Sequence, residues 1–122
     1  MDRKYIVSAL IYGFAGLILG LYMAASHNHG QLVTHAHIML VGFVVSFIYA
    51  VIHKLWLDNP KELMAKAQFY IHQLGTFGMV VALFLLYGGF MQGDLLAPVA
   101  ALSSILVLIA FILMIWMYLR NS

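Results

Sequence analysis

The chain has 122 residues, 65% of them hydrophobic and 8% charged, with a mean hydropathy of +1.00. An ordinary soluble domain carries about 25% charged residues, and one domain of this length cannot hide so much apolar surface inside itself, so the expected solvent is lipid. A net charge of +2 without basic clusters excludes a phosphate-binding surface and a nucleic-acid partner. The lack of cysteine excludes disulfides, thiolate metal sites, iron–sulfur clusters and covalently attached c-type haem.

Arg3 and Lys4 open the chain, and an apolar run succeeds them over 5–25. Its length, about 21 residues, is that of a membrane span rather than of the 7–15-residue core of a signal peptide. A polar turn, Ser26-His27-Asn28-His29-Gly30-Gln31, separates it from a second span over 32–56. Asp58-Asn59-Pro60 reads as a helix stop and restart, with Asp58 or Asn59 as cap and Pro60 at the first helical position. The third helix is expected over 61–90, polar in its first turns, and Gly88-Gly89 and Gly93-Asp94 mark the next turn. Pro98 is expected to begin the fourth helix, over 98–119. Short connections force neighbours to run antiparallel. The expected fold is therefore all-α: a single domain over 1–122, an up-down four-helix bundle integral to the membrane.

All six basic residues fall at one end of such a bundle. The positive-inside rule then makes both termini cytoplasmic and turns 26–31 and 88–97 external, periplasmic if the membrane is a bacterial inner membrane. Helix one carries Gly16, Gly20 and Ala24 four apart, and helix three carries Gly75, Gly78 and Ala82. Small residues at this spacing let helices approach closely in lipid; clearance for a bulky planar cofactor is the other reading.

Histidine is the ionisable residue in surplus, with six. In an unbroken α-helix His35 and His53 share a face with Met39, Gly42, Ser46 and Ala50, because eighteen residues make five full turns. His37 then points about 200° away from His35, toward lipid or a neighbour. His72 lies several turns into the third helix, where an ionisable side chain marks a site or an interhelical bond. His27 and His29 sit in the polar turn and read as solvated.

Leu32-Val33-Thr34-His35-Ala36-His37-Ile38-Met39 resembles the start of the second membrane helix in subunit I of the haem–copper oxidases. There a Thr precedes a His-Ala-x-x-Met run, and that histidine is an axial ligand of the low-spin haem. The resemblance puts His35 at the ligand position and Met39 at the methionine. The His-Ala-His pattern is also similar to that of smaller oxidase-like membrane proteins. In those, a segment resembling Phe69-Tyr70-Ile71-His72-Gln73-Leu74-Gly75 occupies the next helix. The likeness spans helices two and three. The oxidases have many more helices and draw the second ligand from a late one. Their Gly-Gly-Phe-Gly-Asn-Trp stretch is replaced here by Ala50-Val51-Ile52-His53-Lys54-Leu55-Trp56. Bound haem b is what the resemblance implies, and oxygen reduction is not.

His35 and His72 stand at different heights above the second turn, by more than about 10 Å at 1.5 Å per residue. Two arrangements are therefore expected: a second axial ligand from another copy or another subunit, or a five-coordinate haem. Three functions are expected. The first is a b-type haem protein, using His35, His37, His72 and Met39, that transfers electrons or binds a small gas within a homo-oligomer or larger membrane complex. The second is a copper or other metal site of His27, His29, His35 and His37, since imidazole suits copper and zinc. The third is a cofactor-free accessory subunit whose histidines bond between helices. No nucleophile–base pair, phosphate loop or carboxylate pair marks an enzyme.

Overall fold

The computed structural model describes the whole chain except Asp58, Ser122 and the side chain of Asn121. Four helices succeed one another: α1 (Asp2–Ser26), α2 (Leu32–Leu55), α3 (Glu62–Tyr87) and α4 (Gly93–Asn121). Among the described residues there is no strand. Each helix is 24 residues or longer. At 1.5 Å per residue that exceeds a hydrocarbon core of roughly 30 Å. The chain is an all-helical integral membrane protein. Its outward faces carry Leu, Ile, Val and Phe, such as Leu10, Phe14, Leu17 and Leu21 on α1.

The turns are closed by local polar bonds. His27, with φ 55°, ends α1 in the left-handed conformation. The Ser26 hydroxyl donates to the Tyr22 carbonyl at 2.7 Å, and the Asn28 side chain accepts the Gly30 amide at 3.0 Å. Between α3 and α4, Gly89 takes φ 75°, a conformation that favours glycine.

Two helix starts differ from the sequence expectation. The third helix begins at Glu62, after Lys61, so Pro60 stands outside it; Asn59 takes φ 58°, and the expected cap at Asp58 lies outside the described residues. The fourth begins at Gly93 and carries Pro98 inside it. Pro98 removes one amide donor, which orphans only the Asp94 carbonyl in the exposed first turn, where water can bond it. The third helix ends at Tyr87 rather than near residue 90, where Gly88 and Gly89 turn the chain.

The second span is not uniform. Ile38–Val44 is π-helical, and the Val45 amide reaches back five residues to the Leu40 carbonyl. Buried positions before and through it, Thr34, Ile38, Gly42 and Ser46, recur every fourth residue. Beyond it Tyr49, Ala50 and His53 are buried at ordinary α spacing. One residue added to a turn rotates the remainder of the helix by about 100°. The uninterrupted stripe from His35 to His53 expected of a plain α-helix is therefore broken: His53 is buried and His35 is half-buried.

Glycines set the seams. On α1, Gly13, Gly16 and Gly20 receive Phe43, Met39 and His35 of antiparallel α2 in that order. In return, Gly42 of α2 receives Tyr12, whose Cβ lies 2.8 Å from where a glycine-replacing Cβ would sit. Gly75 of α3 lies against the backbone of α4 at Ser103 and Val107. These are close-approach positions of the small-residue kind found in lipid. Of the two readings of the α1 glycines, helix packing fits, because side chains of this chain fill the notches. At the charged end all four helices meet in a core of Tyr5, Tyr49, Ala50, Leu57, Ala65, Met114 and Met117.

Candidate functional site

The first cluster is the His-Ala-His segment at the open end of α2. Gln31 anchors it: its amide nitrogen donates to the Phe84 carbonyl of α3 at 3.0 Å, and its oxygen accepts from the Thr34 hydroxyl at 2.6 Å. Both residues are buried. This tie holds the first turn of α2 against α3 and fixes which way the next residue points. His35 turns to α1. Its Nδ1 lies 2.9 Å from the Gly16 carbonyl, and its Cε1 rests in the notch left by Gly20, 3.1 Å from where a Cβ would stand. A carbonyl only accepts, so Nδ1 carries a proton, and in the neutral ring Nε2 keeps its lone pair. His37 bonds its own helix, Nδ1 to the Val33 carbonyl at 2.9 Å, with the same consequence for Nε2. Met39 packs its sulfur on Gly16, one turn below His35.

The remaining expected residues stand apart. His27 and His29 are exposed in the turn. Among the described residues no three histidine or carboxylate side chains come together to hold a metal ion. The four-histidine copper set of His27, His29, His35 and His37 is thus not assembled within one chain.

His72 forms part of a second cluster, deeper and toward the charged end. Its Nε2 lies 2.9 Å from the Ser46 hydroxyl and 3.5 Å from that of Thr76. Because Ser46 is level with His72 and eleven residues along α2 from His35, the two histidines are roughly 16 Å apart in height. They do not face one iron in one chain. His72 is fully buried, with Tyr49 edge-on at 5.0 Å and Tyr5 at 6.0 Å. Tyr5 donates its hydroxyl to Gln68, and Gln68 donates on toward the Ala110 carbonyl at 3.4 Å. His53 stacks on Tyr5 at 5.5 Å.

This deeper cluster is incompletely paired. Among the described residues, Tyr49 Oη, His53 Nε2, His72 Nδ1 and the Gln73 side-chain nitrogen are buried with no hydrogen-bond partner. Leaving such an atom unmet costs about 1–3 kcal/mol, so these four need a reason. Neither Tyr5 nor Gln68 stands out as a functional residue in the sequence. Gln68 lies one turn before His72, and a polar side chain in that register was the available signal. Tyr5 gave none beyond its type.

A cavity of about 560 Å³ opens between α1, α2 and α3 near the His-Ala-His segment, with Tyr22, Gln31, Phe84 and Tyr87 in its wall. His35 is not part of that wall.

No family model, curated protein or solved structure matches the chain. The likeness to haem–copper oxidase subunit I therefore rests on the motif residues themselves.

Proposed function

We propose that the chain is a membrane subunit that binds b-type haem through His35, with the second face of the iron completed by another copy or another subunit. One observation carries the reading: His35 Nδ1 is tied to the Gly16 carbonyl, which holds the ring still and leaves Nε2 as the ligating atom. Metal-ligating histidines usually donate their other ring nitrogen in this way, which fixes tautomer and orientation. Met39 fills the Gly16 notch one turn along the same seam. The fit is that of one ligand, not two. His72 offers no second ligand because its Nε2 is engaged by Ser46 and its height differs. Bound haem supplies one-electron transfer or binding of a small gas, its potential set by ligation and burial. His37, with Nε2 also available, faces away from α1 and serves a neighbouring chain. By the distribution of Lys and Arg, the haem end faces outward, toward the periplasm in a bacterial inner membrane.

A second reading, a cofactor-free accessory subunit, is supported by the glycine seam: Phe43, Met39 and His35 fill it and leave no planar gap on α1. The readings part on paired variants. His35→Ala is expected to abolish haem binding, and His72→Gln, which keeps a polar partner for Ser46, to retain it. Loss of haem from His72→Gln with helix content intact would overturn the assignment. A wild-type protein that takes up no haem yet co-purifies with a membrane enzyme would favour the accessory role.

A further inference from the structure

We propose that His53 and His72 form a proton-loading site inside the bundle, reached by water from the charged end through a cavity that ends on His53. The proposal stands apart from haem at His35, and failure of one leaves the other intact.

A cavity of about 360 Å³ opens at the charged end between α1 and α3. Met1, the residue before α1, Asp2 and Lys4 of α1, and Glu62, Ala65 and Lys66 of α3 line it. His53 of α2 lines it as well, although the residue is only 8% exposed. The His53 Nε2 is buried and unpartnered. Inward of His53 stand Tyr5, then Tyr49 and His72, each ring within 6.0 Å of the next. Tyr49 Oη and His72 Nδ1 are also unpartnered, and both residues are at most 1% exposed. Three orphaned polar atoms thus lie along one aromatic row that begins at a polar cavity.

Buried polar groups are normally met by protein or by water. Here each orphan can exchange a proton with water: an imidazole nitrogen accepts or donates, and a phenol does both. Ionisable groups held inside membrane helices mark proton relays and ion paths. A metal ion is a poorer occupant, because among the described residues no set of three ligands is formed.

The charges around the row make it a site for a transient proton. On α1 the terminal amine pairs with Asp2 at 3.8 Å, and the Lys4 ammonium lies 6.0 Å from the Phe69 and Tyr70 rings. On α2, Lys54 is exposed. On α3, Glu62 and Lys66 pair at 3.0 Å. The ionisable side chains of α4 are Asp94 at the far end, exposed Tyr118, and Arg120 over Trp116. Asp2, paired with the terminal amine, lines the cavity with His53 and is the carboxylate within electrostatic reach of it, whereas no described carboxylate acts on Tyr49 or His72 deeper in the row. Water in the cavity gives a proton to His53 Nε2 and leaves hydroxide; the imidazolium then gives a proton, through water, to the lone pair of His72 Nδ1, or returns it to the hydroxide.

The test is ring-nitrogen NMR of histidine-labelled protein in lipid nanodiscs, with magnetisation transferred from water. In the wild type, transfer to His53 and to His72 is expected. In His53→Phe, transfer to His72 falls several-fold while the His35 resonances stay in place. The proposal is overturned if wild-type His72 receives no water magnetisation, or if His53→Phe leaves its transfer unchanged. Should His53→Phe shift the His35 resonances and so report misfolding, the wild-type measurement alone decides.

Discussion

Tyr5→Ala is expected to lower stability by about 3 kcal/mol, the low end of the range for removing a buried aromatic ring. Tyr5 is fully buried and ties α1 to two other helices: it bonds Gln68 of α3, meets Tyr49 and stacks on His53 of α2, and packs edge-on to Phe69 at 4.9 Å. The low end applies because separated helices still keep apolar side chains in lipid, so lost contacts and the cavity dominate over transfer from water. Tyr5→Phe isolates the hydrogen bond. It should cost about 0.6 to 1.7 kcal/mol, the span measured for bonds between membrane helices. Reversible unfolding in mixed micelles separates the two. If Tyr5→Phe costs as much as Tyr5→Ala, the ring is not the keystone.

Gly75→Leu should detach α4. A Cβ at Gly75 would lie 2.9 Å from the Ser103 carbonyl oxygen and 2.9 Å from the Val107 amide nitrogen. Those are backbone atoms of a helix and cannot rotate away. Overpacking a rigid contact costs about 1–3 kcal/mol even for small additions; Gly75→Ala should fall there, and Leu beyond it. Gly16→Ala is the contrast. The atom in its way is the sulfur of Met39, the far end of a flexible side chain, so it should cost less than Gly75→Ala. Cross-linking between cysteines introduced on α3 and α4 would read the loss. A Gly75→Leu protein that cross-links like the wild type would show that the seam yields.

The four spans were legible because each is a membrane-length apolar run bounded by Gly, Pro, Asn or charge, and lipid permits few other solutions for such runs. Helix starts were less so. Pro98 is a common first residue, but a proline five residues into α4 costs little when the orphaned carbonyl faces water. The π-helical turn at Ile38–Val44 left no mark, since a shift of hydrogen-bond register inside a continuous apolar run changes no residue type. That turn altered the site most, because it uncouples the face of His35 from that of His53. The motif singled out His35, and its height above His72 followed from simple counting. The Gly16 carbonyl as its partner was not, since a backbone acceptor has no signature in sequence. Tyr5 and Gln68 are 63 residues apart and meet only once the bundle closes.

Haem at His35 is tested most directly by the optical spectrum of the purified protein in lipid, oxidised and then reduced, after haem reconstitution. The predicted result is a Soret band and a reducible α band that His35→Ala abolishes. A colourless wild-type protein, or a haem spectrum that survives His35→Ala unchanged, would contradict it.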